Sequence, residues 1–426
     1  MMLSQSLLST DHVQLLDTLA TSDKLLIIQD LDGVCMALVR DPLTRVIDRA
    51  YIEAAHALGT RFQVLTNGEH IGSRGVNAIV AATFETPDQA AGRYLPGLAG
   101  GGVQLQDRHG TVTHPGVGDH ELVFLRAVPE RAARFLATRL CSAPYDLDGA
   151  EVATLLQATV LDNLVSPTIN LNHLHLRLSD RPSRYRQLQG EVEAFMQQLL
   201  ADAARDGLGD AFFVHYAPNL GRDERGGERM KPGDADSAGT HDFQFMLKGA
   251  VKEVGVLVIL NRYYHAQTGR YPLGEHFHAR AAPRDHDALL QLAIDHFDPA
   301  LMPRLVGVGD TVSAQAHVID GRTQMLRGGS DRGFLTLVQD LGKAFATDNA
   351  VLYVDSSRGE VQRPGVDAAQ LARRADDPWA AVQDISDEHD PLRLNFVFAD
   401  GHAQYVEFFL ALAARIAGND RSPDPV

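Results

Sequence analysis

The stretch KLLIIQDLDGVCM, residues 24–36, decides the fold of this chain. Its apolar run at residues 25–28 is bounded by polar residues, which is typical of a short buried strand in a parallel sheet. A helical stretch closed by Gly59 follows, and then a second short strand in RFQVLTNGE, residues 61–69. Because strands and helices alternate, the sequence predicts an α/β fold with a parallel sheet, whose ligands lie just past the carboxyl ends of the strands.

Length and composition limit the class of protein. The 426 residues predict two or three domains at roughly 150 residues each. A net charge of −16 disfavours nucleic acid or an anionic membrane as the main partner. Cys35 and Cys141 form neither a disulfide framework nor a zinc motif, and no segment is typical of a signal peptide or of a membrane span. We therefore expect a cytoplasmic protein.

The middle of the chain differs from both ends, because helical stretches there alternate with strands of the antiparallel type. We predict a separate α+β unit in this region, with the charged, glycine-rich residues 219–242 as a long loop. Residues 243–266 are predicted to be helical, and the α/β pattern then returns. The other predicted elements are helices near 121–140, 151–164 and 185–204, and strands in 168–179, 211–218, 303–310, 350–357 and 394–402.

Asp30 and Asp32 follow the first strand directly. Residues two apart in a strand point the same way, so both carboxylates are aimed into one crevice. Two like charges this close repel unless a cation or a shared proton compensates them. A hard divalent metal, which prefers oxygen ligands, is the natural compensation. The alternative is a pair of solvated loop aspartates.

Two further strand ends and one helix start carry polar residues. Thr66 and Asn67 follow the second strand, and Asp310 follows a much later one. Lys248, next to Gly249, opens a helical segment between them, with Lys231 and Lys252 as alternatives for binding phosphate. The long spacing between these positions leaves room for an inserted domain.

This order of motifs resembles the haloacid dehalogenase superfamily of phosphatases. The matching stretches are IIQDLDGV at 27–34, VLTNG at 64–68, LKG at 247–249 and GVGDTVSA at 307–314. The resemblance implies a Rossmann-like parallel-sheet core, residues 1–114 and 246–426 with a C-terminal extension. It also implies an inserted α+β cap of the C2 type at residues 115–245. Many members carry a second acid where this chain has Ala314.

The resemblance also implies a role for each motif residue. Asp30 is the nucleophile that forms an aspartyl-phosphate, and Asp32 is the general acid and base. Thr66, Asn67 and Lys248 bind the phosphoryl oxygens. Mg²⁺ is held by Asp30, the main-chain carbonyl of Asp32 and Asp310.

Three longer stretches carry a closer resemblance: QDLDGVCMALVRDPLTR at 29–45, LKGAVKEVGVLVILNRYYH at 247–265 and VGVGDTVS at 306–313. Through them the whole chain resembles the glucosylglycerol-phosphate phosphatases, which finish synthesis of a compatible solute in salt tolerance. This implies a small sugar-polyol phosphate, glucosylglycerol 3-phosphate, as substrate, and association with the synthase that supplies it. The alternatives are a phosphatase for sucrose or trehalose phosphate and a non-catalytic sugar-phosphate-binding subunit. The basic, glycine-rich loop at residues 327–333 is either a turn or a contact to sugar or phosphate oxygens.

Overall fold

The computed structural model describes residues 2–222, 227–319, 322–373 and 377–420. Its strands, in chain order, are β1 Leu25–Gln29, β2 Phe62–Leu65, β3 Gly97–Ala99, β4 Gln104–Gln106, β5 Val112–Thr113, β6 Val160–Leu161, β7 Thr168–Asn170, β8 Phe212–Ala217, β9 Asn219–Arg222, β10 Glu228–Met230, β11 Asp242–Leu247, β12 Arg304–Gly309, β13 Ser313–Ile319, β14 Arg322–Gly328, β15 Ala350–Val354 and β16 Phe396–Phe398. Its α-helices are α1 His12–Ala20, α2 Arg49–Ala57, α3 Val76–Thr83, α4 Pro87–Ala90, α5 Asp119–Leu140, α6 Gly149–Thr159, α7 Asn172–Arg177, α8 Pro182–Arg205, α9 Lys252–Thr268, α10 His286–His296, α11 Arg332–Phe345, α12 Ala368–Ala372 and α13 His402–Asn419.

The main sheet contains eight strands among the described residues, in the order β16-β15-β12-β1-β2-β3-β4-β5. From β16 to β3 every neighbouring pair is parallel, and β4 and β5 add an antiparallel edge. The sheet confirms the predicted α/β class. Because β12, β1 and β2 are adjacent and parallel, the residues that follow them meet at one edge.

Helices cover both faces of this sheet. Along β1 the side chains alternate: Leu25 and Ile27 pack in one apolar cluster, and Leu26 and Ile28 pack in another. The first cluster includes residues of α1, α2 and α13, and the second includes residues of α9, α10 and α11. All five β1 residues are buried, which accounts for the uninterrupted apolar run in the sequence.

A second, four-stranded sheet has the order β6-β7-β11-β8 and is antiparallel throughout. Along the chain, its strands and the helices α5 to α8 come after β5 and before β12 of the main sheet. An α+β unit is therefore inserted into the core, as predicted. We call it the cap. Its last strand, β11, runs two residues past 245, and the domain boundaries 1–114, 115–245 and 246–426 stay predictions.

Three local predictions were wrong. Residues 243–266 are not one helix, because β11 pairs with β7 and β8 and a turn at Gly249 precedes α9. Residues 168–179 form the short strand β7 and then α7, because leucines there are buried at helical spacing. The predicted loop 219–242 contains strands β9 and β10, and the loop prediction for residues 223–226 lies outside the described residues.

A hairpin of β13 and β14 lies between residues 310 and 331. Its returning strand, β14, packs against β9 of the cap. In the described part of the chain, no helix is long and apolar enough to cross a membrane.

Candidate active site

Three adjacent strand ends form the floor of a cavity between the core sheet and the cap. Asp30 follows β1, Thr66 follows β2 and Asp310 follows β12, and all three line the cavity and are buried. The amide of Asp30 donates to the carbonyl of Val308 at 3.0 Å, which ties the start of the loop to the neighbouring strand. Sheet topology therefore brings together Asp30 and Asp310, which are 280 positions apart in the sequence.

Lys252, the first residue of α9, is the cation of this cluster. Its ammonium group donates to Asp30 Oδ2, and to Asp331 Oδ1 at 2.6 Å. The lysine side chain is 2% exposed and that of Asp331 is fully buried. Charges buried this deeply persist only when they are paired, and here one ammonium compensates two carboxylates.

Burial and neighbouring charges shift the pKa values of this cluster. Burial raises the pKa of Asp30, with Lys252 opposing the rise and Asp331 adding to it. Burial also raises the pKa of Asp310, and Asp331 adds to that shift. Burial alone would lower the pKa of Lys252, but Asp30 and Asp331 raise it above its usual value. The acids outnumber the lysine, so the cluster has room for further positive charge.

The structure corrects the predicted lysine. Lys248 lies outside the cavity and forms an ion pair of 2.7 Å with the fully exposed Asp210. The three residues between the two lysines follow the end of β11 and include the turn at Gly249, which has φ +87°. Lys252, the alternative left open by the sequence, occupies the position expected for Lys248.

Asp331 is the acid that sequence analysis missed. Its Oδ2 accepts the amides of Asp310 and Thr311, each at 2.9 Å, so it holds the loop that carries Asp310. A second acid was expected near position 314, where Ala314 stands. The β13–β14 hairpin separates the two acids in sequence, and the only signal was the loop RGGSDRG at residues 327–333.

Asp30, Asp310 and Asp331 offer a metal-binding set of carboxylates. One oxygen from each lies within 4.8 Å of the others. Asp310 Oδ2 is buried and has no hydrogen-bond partner among the described residues. Gly33 packs so closely that an added Cβ would lie 2.2 Å from that oxygen, and its φ of +78° also favours glycine. A hard, oxygen-preferring cation fits these donors.

Asp32 lines the same cavity but has a different partner. Arg45 Nη1 donates to its two oxygens at 3.0 and 3.2 Å. The Asp32 side chain is 30% exposed, so it stays accessible from the cavity. Asn67, next to Thr66, also lines the cavity. The structure thus brings together Asp30, Asp32, Thr66, Asn67 and Asp310, but not Lys248.

The cap faces these residues with a polar surface, which we call the cap face: Thr168, Asn170, Asp242 and Gln244. The antiparallel register of β7 and β11 places these side chains on one surface, because Asn170 lies opposite Asp242 and Thr168 opposite Gln244. All four line the cavity. Their neighbours Ile169 and Phe243 point to the other side and are buried. Asn170 Nδ2 donates to Asp242 Oδ1 at 2.7 Å, and Gln244 Oε1 is buried without a partner among the described residues.

Comparison with known proteins identifies the family. Residues 24–413 match the family described as glucosylglycerol-phosphate phosphatase. The chain belongs to this family. A relative of that name from Synechocystis sp. (strain ATCC 27184 / PCC 6803 / Kazusa) is 51% identical over 417 residues, which are 97% of this chain and 98% of the relative. The chain is therefore a phosphatase, that is, a phosphoric monoester hydrolase.

Solved structures of similar fold are more distant from this member of the glucosylglycerol-phosphate phosphatase family. A trehalose-6-phosphate phosphatase C-terminal domain from C. albicans has 10% identity and a TM-score of 0.46, over 96% of this chain and 99% of that one. A trehalose-6-phosphate phosphatase from Aspergillus fumigatus has 10% identity and a TM-score of 0.40 over the same shares. A haloacid dehalogenase-like hydrolase from B. subtilis has 11% identity and a TM-score of 0.29, over 79% of this chain and 93% of that one.

Proposed function

We propose that this phosphatase hydrolyses glucosylglycerol 3-phosphate to glucosylglycerol and phosphate, with Mg²⁺ as cofactor and an aspartyl-phosphate intermediate. The name of the 51% identical relative supports the substrate. The observation that carries the mechanism is the buried cluster in which Lys252 contacts both Asp30 and Asp331 beside Asp310. A nucleophilic carboxylate needs such a cation to stay ionised in a buried site.

Asp30, the main-chain carbonyl of Asp32 and Asp310 are the residues that would hold Mg²⁺. All are hard oxygen donors, and Asp310 Oδ2 has no other partner among the described residues. Bound there, the ion would supply positive charge to the phosphoryl oxygens and to the carboxylates. Asp331 supports this set through the amides of Asp310 and Thr311.

Asp30 attacks the phosphorus atom, and the bond from phosphorus to the leaving alcohol oxygen breaks. Lys252 orients the attacking carboxylate, since its ammonium contacts Oδ2, while Oδ1 accepts the amide of Leu31 at 2.8 Å. The Thr66 hydroxyl, Asn67 and Lys252 bind the phosphoryl oxygens as negative charge develops on them.

Asp32 gives a proton to the leaving alcohol and then takes one from the water that hydrolyses the aspartyl-phosphate. Arg45 keeps its carboxylate in place at the cavity wall. Both acids line the cavity, but the Asp32 side chain is 30% exposed and that of Asp30 only 9%. The more exposed Asp32 suits proton exchange with the leaving group and water, and the fixed Asp30 suits nucleophilic attack.

The cap face would bind the glycosyl group. Its amides donate and accept hydrogen bonds and its carboxylate accepts them, as sugar hydroxyls require. Binding in a cavity closed by the cap also excludes water from the first transfer step. Association with the synthase that makes the substrate stays a prediction from the resemblance.

Phosphate release tests this proposal. We would assay glucosylglycerol 3-phosphate, sucrose 6-phosphate, trehalose 6-phosphate and glycerol 3-phosphate, each with Mg²⁺ and with EDTA. We expect release to be fastest from glucosylglycerol 3-phosphate and to stop in EDTA. A faster rate with sucrose 6-phosphate or trehalose 6-phosphate would identify that ester as the substrate instead. No phosphate release from any ester would favour a non-catalytic binding subunit.

Two variants test the mechanism in the same assay. Asp30→Asn and Asp32→Asn should each abolish release, because one lacks the nucleophile and the other the acid and base. Asp23→Asn is the matched control, since Asp23 is an exposed aspartate just before β1. Full activity of Asp30→Asn would contradict the aspartyl-phosphate intermediate.

A further inference from the structure

The long stretch between β15 and β16 contributes a loop to the catalytic cavity. Asp355, just after β15, closes the loop: its Oδ1 accepts the amide of Ser357 and its Oδ2 the amide of Val366, both at 2.8 Å. We call residues 355–366 the C-terminal loop. No motif in the sequence assigns it a role, and the proposed mechanism does not use it.

The C-terminal loop is fixed against the segment that follows the catalytic aspartates. The amide of Glu360 donates to the carbonyl of Leu38 at 2.8 Å, and Glu360 Oε2 accepts the amide of Arg40 at 3.0 Å. Val361 is 4% exposed and lines the cavity beside Leu38. The C-terminal loop therefore forms one wall of the cavity and is held there by hydrogen bonds.

Arg363 extends from this loop into the cavity, which it lines together with Asp30, Thr66 and Asp310. Its Nε is buried and has no hydrogen-bond partner among the described residues. A buried donor on a permanently charged group is costly unless a ligand satisfies it.

The other cations of the cavity already have partners. Arg45 pairs with Asp32, Arg74 with Asp162, and Lys252 with Asp30 and Asp331. The described residues give Arg363 no ion pair of this kind, although its charge acts on Asp242 of the cap and on Asp310 of the core. It thus lies between the cap face and the metal-binding acids, where the phosphoryl end of a substrate enters.

We propose that Arg363 is a further catalytic residue, which binds the non-bridging phosphoryl oxygens of the substrate and stabilises the charge of the transition state. A guanidinium presents several donors in one plane, a geometry that matches phosphate. This inference rests on the proposed phosphatase function. Arg363 would be a fourth phosphate-binding residue beside Thr66, Asn67 and Lys252, and it lies outside the recognised motifs.

The test compares two substrates that share only the phosphate: glucosylglycerol 3-phosphate and p-nitrophenyl phosphate. Arg363→Met should lower kcat/KM for both by the same factor, about 10²–10³-fold, as for loss of one transition-state donor. Arg363→Lys should recover part of the loss. Inhibition by inorganic phosphate should weaken in Arg363→Met.

Arg358→Met is the matched control, because Arg358 lies in the same loop but pairs with Asp400 at the surface, with both side chains 58% exposed. It should behave like the unchanged protein. A loss confined to glucosylglycerol 3-phosphate would overturn the proposal in favour of a sugar contact. Wild-type kcat/KM in Arg363→Met, or an unchanged phosphate inhibition constant, would overturn it outright. Lack of activity in the unchanged protein would instead refute the proposed function.

Discussion

The core edge and the cap face line one cavity but are built differently. The core edge consists of Asp30, Asp310 and Lys252, which line the cavity, and of the fully buried Asp331, which contacts Lys252. Their charges compensate one another. The cap face consists of amide and hydroxyl groups with one carboxylate, Asp242. Charges are what phosphoryl transfer requires, whereas groups that donate and accept hydrogen bonds suit sugar hydroxyls. We therefore propose that the core performs the chemistry and that the cap selects the substrate.

After the loss of the nucleophile, the largest effect should come from the lysine of the core edge. Lys252→Met removes the cation that orients Asp30 and binds the phosphoryl group, so kcat/KM should fall about 10²–10³-fold or more. Lys248→Met should change it little, because Lys248 pairs with the exposed Asp210. Phosphate release by the two variants, with circular dichroism to confirm folding, checks this. Equal losses of kcat/KM in both variants would contradict this, because Lys248 would then also contribute to catalysis.

A smaller effect is expected from the acid that supports the metal-binding set. Asp331→Asn keeps an acceptor for the amides of Asp310 and Thr311 but removes the charge beside Lys252. The Mg²⁺ concentration for half-maximal rate should rise about 10–100-fold, as for other residues that support metal ligands. Asp340→Asn is the control, because Asp340 lies in α11, pairs with His286 and Lys343, and does not line the cavity. An unchanged Mg²⁺ requirement would remove Asp331 from this role.

The smallest effect concerns stability, and both regions should share it. Burial lowers the pKa of His70, in the core, to about 4 and that of His241, in the cap, to about 3. Each pKa is below the unfolded value of about 6.5, so the unfolded state binds more protons in acid and stability is lost as pH falls below that value. Between pH 7 and pH 5 each histidine should account for about 2 kcal/mol of the loss.

Chemical denaturation at the two pH values measures this loss. His70→Gln and His241→Gln should each reduce the loss in free energy of unfolding between pH 7 and pH 5. His109→Gln, which changes an exposed histidine outside the cap, is the control and should not reduce it. If only one of the two variants reduces this loss, protonation of the other histidine does not destabilise the folded protein.

Sequence reasoning located most of the core edge, because strand ends can be read from apolar runs. Asp30 and Asp310 of the core edge each follow such a run, as does Thr66 beside them, and parallel pairing brings the three together. The sequence predicts Lys252 only as an alternative, together with Lys231, because the start of α9 depends on the pairing of β11, which the continuous apolar pattern does not show. Asp331 was missed because a hairpin separates it from Asp310.

The cap face was not predictable in the same way. Its four residues share a surface only through the antiparallel register of β7 and β11, and a shift of one residue would turn them away from the cavity. β7 has only three residues, and the leucines that continue its apolar pattern belong to α7. A three-residue strand followed by a helix cannot be told from one longer strand by alternation alone.

The most direct test of the division between core and cap is a comparison of Asp30→Asn and Asp242→Asn on two substrates. We would measure kcat/KM for glucosylglycerol 3-phosphate and for p-nitrophenyl phosphate, which has no sugar. Asp30→Asn should be inactive on both, and Asp242→Asn should lose activity on the sugar phosphate while it keeps that on the small ester. Equal losses on both substrates in Asp242→Asn, or activity of Asp30→Asn on either substrate, would contradict the account.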